Sequence, residues 1–172
     1  MIGLSKSKNW VNAALVLIIL SAIITLAKEE GVVGRTLKNR KGCTCHDEVA
    51  SKNVLVSIDG PDTMRVGETV TFSVTISGAT MKAAGINIAA SDGDLNPLSR
   101  DLKKAKGELT HTSPKQTVSG KSTFQFSYSA PDKAGEQTIF ASGNLADMNG
   151  KKTGDLWNHA PNKRVLIINQ KK

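Results

Sequence analysis

Thr69-Val70-Thr71-Phe72-Ser73-Val74-Thr75-Ile76-Ser77 is the stretch that decides the fold class. Val70, Phe72, Val74 and Ile76 alternate with hydroxyl side chains at 71, 73, 75 and 77, the period of two expected of a strand with one face in a core and the other in water. Working outward, Val54 to Ile58 reads as a strand closed by the turn residues Asp59-Gly60-Pro61,. Gly85 to Ser91 follows, with Ile86 and Ile88 inward, and stops at Asp92-Gly93-Asp94. Leu109 to Thr112 is shorter. Phe124, Phe126 and Tyr128 alternate with Gln125, Ser127 and Ser129 before Ala130-Pro131 ends the run, and Thr138 to Ser142 and Arg164 to Ile168 complete the set. Roughly seven short strands without an amphipathic helix predict an all-β, immunoglobulin-like antiparallel β-sandwich.

The strand pattern divides the 172 residues into segments: 1–27, 28–52, the sandwich at 53–169, and a basic tail at 170–172. With 39% hydrophobic, 22% charged and only 4% aromatic residues, one aliphatic core is expected. In the first segment Lys6 and Lys8 precede an apolar run from Val11 to Ala27, and Thr25-Leu26-Ala27 offers small residues at its end. This predicts a signal peptide, or, if uncleaved, an N-terminal membrane anchor, and hence export to the periplasm or cell surface. The net charge of +8 lies on scattered lysines not interleaved with aromatics, which argues against nucleic acid and for a solvated basic surface; its sharper use is steering toward acidic redox proteins of the envelope.

Segment 28–52 has neither helical nor strand period and carries both cysteines, in Cys43-Thr44-Cys45-His46. Two thiols and an adjacent imidazole are what covalent haem attachment uses: the thiols add to the vinyl groups and the histidine ligates iron. The usual spacing is C-x-x-C-H, and here it is one residue shorter. The reading is one covalently attached haem c on Cys43 and Cys45, with His46 as proximal iron ligand. Two other readings compete: a zinc or copper site completed by His111 or His159, and a disulfide or free thiols, a bond that would close too small a ring to stabilise much. For the sixth iron position His111, at a strand end, ranks first and His159 second. Trp157 is a candidate for packing on the porphyrin. Met64, Met81 and Met148 are weaker donors, Met64 and Met81 being better suited to filling a core.

Ser91-Asp92-Gly93-Asp94-Leu95-Asn96 resembles the start of a calcium loop, but Lys103 stands where the bidentate glutamate belongs,. A hairpin turn is the expectation there. Catalytic signatures are missing: no Gly-x-Ser-x-Gly elbow, phosphate loop or H-E-x-x-H helix occurs,.

Gly34-Arg35-Thr36, Gly42-Cys43-Thr44-Cys45-His46, Gly85-Ile86-Asn87-Ile88, Ser91-Asp92-Gly93, Gly107-Glu108-Leu109-Thr110-His111-Thr112 and Tyr128-Ser129-Ala130-Pro131 together resemble the Reeler-like β-sandwich domains of exported bacterial proteins. The resemblance is to those described as choice-of-anchor V domains, many with a Gly-Arg-Thr stretch and a c-type haem motif ahead of the sandwich. It implies a haem at Cys43, Cys45 and His46, and a recurring histidine at 111. The expected function is an exported monohaem cytochrome-like electron carrier; the alternative is a binding or adhesion module of the envelope without redox activity.

Overall fold

The computed structural model describes residues 30–78, 81–151 and 153–170, so the expected signal or anchor at 1–27 lies outside the described residues. Among the described residues twelve strands are formed: β1 (Val54–Asp59), β2 (Thr63–Arg65), β3 (Thr69–Gly78), β4 (Ala83–Ala90), β5 (Asp94–Pro97), β6 (Leu102–Ala105), β7 (Glu108–His111), β8 (Lys115–Gln116), β9 (Lys121–Ser129), β10 (Gly135–Ala146), β11 (Leu156–His159) and β12 (Lys163–Ile168). The seven strands expected from alternation are β1, β3, β4, β7, β9, β10 and β12. The other five are two to four residues long, too short for a period of two to show in sequence.

They form two sheets. The smaller has the order β1-β3-β9-β5 and the larger β2-β12-β10-β4-β7-β6, with β11 paired to β10 and β8 to β4. All pairings are antiparallel except β2 with β12. Phe72, Val74 and Ile76 of β3 and Phe124, Phe126 and Tyr128 of β9 are buried; so are Ile86 and Ile88 of β4, Ile139, Ala141 and Leu145 of β10, and Val165 and Ile167 of β12. These alternate residues of the two inner faces make the core of an immunoglobulin-like β-sandwich.

Two local expectations change. Asp92-Gly93 does turn the chain, but it joins β4 of the large sheet to β5 of the small one instead of closing a hairpin. Gly93 is required there: its φ is +81°, and a Cβ would lie 2.5 Å from the Ser129 carbonyl oxygen,. The strand expected at Thr138–Ser142 runs from Gly135 to Ala146, and its two halves have different partners: residues 135–139 pair with β12 and residues 142–145 with β11.

Strand β4 is buried at every position, Ala83 through Ala90. A strand on the face of a two-layer sandwich should bury alternate residues only, so something covers its outer side. Its outward row is Ala83, Gly85, Asn87 and Ala89, beside Ser142 and Asn144 of β10 across the register. Small side chains leave room for backbone to lie on the sheet, and residues 30–52 occupy that room.

Tyr128 is fully buried, packs edge-on against Phe72 at 5.9 Å and donates its hydroxyl proton to the Asp92 carbonyl at 2.9 Å. Burial, with the nearby Asp92 charge, pushes its phenol up to about 12. A folded-state pKa above the unfolded value of ~10 means its contribution is complete below pH ~10 and lost as the pH rises through the folded value. Tyr128 is the sole tyrosine, so tyrosinate absorbance should titrate with a midpoint near 12 in the folded protein and near ~10 in denaturant; a native midpoint at the denatured value would refute this packing.

Candidate functional site

The site is built where segment 30–52 crosses the outer face of the large sheet. Apart from one short 3-10 turn, Leu37–Asn39, this strap has no regular structure, so its backbone groups need partners outside itself. The sheet supplies them. The Gly31 amide donates to the His111 carbonyl at 3.0 Å, and the Gly34 amide to Glu108 Oε2 at 2.7 Å. The Arg35 amide donates to Asn87 Oδ1 at 2.7 Å while its carbonyl accepts from Ser142 Oγ at 2.8 Å. Asn87 is fixed for this task by donating Nδ2 to Glu108 Oε2 and the Leu109 carbonyl. Further along, Lys38 donates to the Ala90 carbonyl, and Ser51 to the Trp157 carbonyl.

Gly42, just ahead of the cysteines, lies flat on Trp157: a Cβ there would sit 1.9 Å from Cη2 of the indole. Trp157 is buried, donates Nε1 to the Asp47 carbonyl at 2.7 Å, and meets His159 edge-on at 5.1 Å. It belongs to β11, as does His159, and the indole face is taken up by the strap.

Cys43 and Cys45 are free thiols, the first half-buried and the second exposed. Burial pushes the Cys43 thiol up to about 12, with Arg35 pulling the other way and Cys45 adding to the rise. Arg35 Nη2 lies 3.9 Å from Cys45 Sγ. The turn carrying them closes through the His46 amide, which donates to the Cys43 carbonyl at 2.9 Å.

His46 Nδ1 lies 2.7 Å from Oδ2 of Asp155, a carboxylate only 6% exposed. The carboxylate accepts, so Nδ1 carries a proton, and in the neutral ring the lone pair is on Nε2. Asn144 Nδ2 lies 3.5 Å from that Nε2. Asp155 is held in turn by the Asp147 amide, which donates to Oδ1 at 3.2 Å.

The two distal candidates are arranged differently. His111 shares the patch with His46: a Cβ on Gly85 would be 2.4 Å from Asn144 Oδ1 and 2.7 Å from His111 Cε1. Its Nδ1 lies 2.9 Å from the Ile86 amide nitrogen and 3.2 Å from the Ile86 carbonyl oxygen, so the backbone of β4 engages that nitrogen in either tautomer. Burial lowers its pKa, against the pull of the Ile86 backbone, and the neighbouring His46 lowers it further. His159 Nδ1 lies 2.6 Å from Ser142 Oγ, whose own proton goes to the Arg35 carbonyl; Nδ1 therefore donates and Nε2 is free. Burial lowers its pKa too. His159, at the far end of β11, is four residues beyond Asp155, roughly 13 Å at strand rise, and so lies away from the carboxylate that holds His46.

Met64 is buried and Met81 packs against the core, whereas Met148 is exposed. Among the described residues no group of three or more His, Cys, Asp or Glu side chains is assembled to hold a metal ion, so the zinc or copper set of Cys43, Cys45 and His46 with a further histidine is not brought together. Asp155, Asn144, Asn87 and Ser142 were not singled out from sequence; the polar Asn87 between Ile86 and Ile88 was the visible signal for one of them.

No family model matches the chain, and no curated protein does. Among solved structures it is similar to the CARDB domain of a Pyrococcus furiosus protein, at 16% identity over 70% of this chain and 98% of that one, with a TM-score of 0.43. A non-cellulosomal cohesin from the hyperthermophilic archaeon Archaeoglobus fulgidus matches at 10% identity over 67% and 91%, with a TM-score of 0.47. The PKD domain of an M14-like peptidase from a Thermoplasmatales archaeon matches at 15% over 68% and 94%, with a TM-score of 0.39.

Because Gly42 touches the Trp157 ring, Gly42→Ala should lift the strap and destabilise the fold by about 1–3 kcal/mol. Thermal unfolding measures the second effect. Faster proteolysis at Lys41 measures the first, and equal cleavage rates in both proteins would refute the contact.

Proposed function

We propose that this chain is a non-catalytic β-sandwich module of the cell envelope whose bound group is one haem, and that it serves as an electron carrier. Cys43 and Cys45 would hold the group covalently and His46 would ligate its iron. The observation that carries the reading is the hydrogen bond between His46 Nδ1 and the buried Asp155 carboxylate. A metal-ligating histidine typically donates its second ring nitrogen to a carboxylate or carbonyl, and His46 has that bond together with an adjacent pair of thiols. The donor set therefore fits a c-type haem, which when bound supplies one-electron chemistry.

The other residues position and exclude. Asn87 and Ser142 fix the strap, Arg35 lies beside the Cys45 thiol, and Asn144 meets the open side of the His46 ring. Of the two distal candidates, His111 is the nearer; the Ile86 backbone engages its Nδ1, which leaves Nε2 as the nitrogen available for ligation. The basic surface favours acidic redox partners.

A second reading is favoured by a different observation: the strap is already closed on the sheet by the chain's own bonds, and Gly42 fills the Trp157 face. On that reading the chain is an envelope binding or adhesion module without redox activity, its cysteines idle or joined. Production in a host with haem-attachment machinery separates the two. Haem that stays with the chain through denaturation, and is lost on His46→Ala or on changing both cysteines to serine, is the expected result. A colourless protein, unchanged in stability when both cysteines are serine, gives the second reading.

A further inference from the structure

We infer that Asp155 is a positioning residue that presents His46 to a metal centre as a fixed, electron-rich ligand. The inference rests on the haem reading for what the ligand holds, but the geometry behind it belongs to the chain alone.

A carboxylate taken out of water is costly unless paired. Asp155 is buried in the large sheet's margin, one residue before β11, and its recorded partners are His46 Nδ1 and the Asp147 amide. No lysine or arginine pairs with it among the described ion pairs. The loop that delivers it, from Asp147 to Asp155, takes left-handed backbone at Met148 (φ 57°), Gly150 (φ 78°) and Gly154 (φ 95°). Asp147 and Asn149 hold one another and the Thr153 carbonyl within it. A loop that places a non-glycine residue, Met148, in left-handed backbone and ends by burying a negative charge against one imidazole is a poor way to stabilise a sandwich,. It is a good way to fix a ring.

The fixing has two consequences. It selects the Nδ1–H tautomer, leaving the Nε2 lone pair on the side of Asn144, Gly85 and His111. It also gives the imidazole partial anionic character, which strengthens donation to a metal and favours its oxidised state. The strap alone could do neither, because the partners of the His46 ring, Asp155 and Asn144, both lie outside it.

Two measurements test this. Long-range proton–nitrogen NMR on the protein without haem should show His46 as the Nδ1–H tautomer, and Asp155→Ala should abolish that preference while Asp155→Asn, which keeps an acceptor, retains it. In the haem-bearing protein at a fixed applied potential, Asp155→Asn should raise the ratio of reduced to oxidised haem roughly tenfold or more. An Nε2–H tautomer in the unmodified protein, or an unchanged ratio in Asp155→Asn, overturns the assignment. A protein that never takes up haem would sink the haem reading instead, and the tautomer measurement on that colourless chain still decides whether Asp155 fixes His46.

Discussion

The structure around the cysteines depends on how one peptide unit is gripped. Arg35 donates its amide proton to Asn87 on β4 and accepts at its carbonyl from Ser142 on β10. Neither bond could form over an ordinary outward row, because larger side chains would hold the strap away from the sheet. Sequence supplies the opening through Ala83, Gly85, Asn87 and Ala89, and packing uses it: Thr36 is fully buried directly after the grip. Everything the strap carries, from Gly42 on the indole to His46 on Asp155, is placed downstream of that point. Each net bond is worth only about 1 kcal/mol, so the strap is held by their number and by the fit beneath them.

Much of the architecture was legible because burial on one face writes itself into sequence. The Thr-Val-Thr-Phe-Ser-Val-Thr-Ile pattern of β3 and the Phe-Gln-Phe-Ser-Tyr pattern of β9 pair along nine registered positions. What stayed hidden were pieces where alternation fails. The four residues of β11 have Trp157 buried by the strap and Asp155 before it buried by a histidine. The far half of β10 contains Gly143 and Asn144, poor strand formers, kept extended because Gly143 lets the opposite sheet's Ile76 approach closely. The Asp92-Gly93 turn was legible as a turn, but which sheet its exit would join depends on tertiary packing.

The site was legible as a cluster of residue types and not as an arrangement. Cys43, Cys45 and His46 stand out by adjacency. Their supports come from across the chain, Asp155 lying 109 positions from His46 and Ser142 lying 107 from Arg35. Spacing cannot reveal such pairs. Histidine count was equally blind to chemistry: all three imidazoles are engaged at Nδ1, but by different partners, a carboxylate at His46, the Ile86 backbone at His111 and a serine hydroxyl at His159.

The order of the strands along the chain carries a temporal consequence. The strap precedes the sandwich, yet its dock is made of β4, β10 and β11, and β11 ends only at His159. Long-range contacts form late, since the chain between them must be ordered first. A nascent polypeptide emerging from its N-terminus therefore shows Cys43 and Cys45 as solvated thiols for as long as β11 is unmade. Closure of the dock half-buries Cys43 and leaves Cys45 exposed. A reaction that needs the Cys43 thiol fully solvated therefore has its widest access before the C-terminal strands are complete.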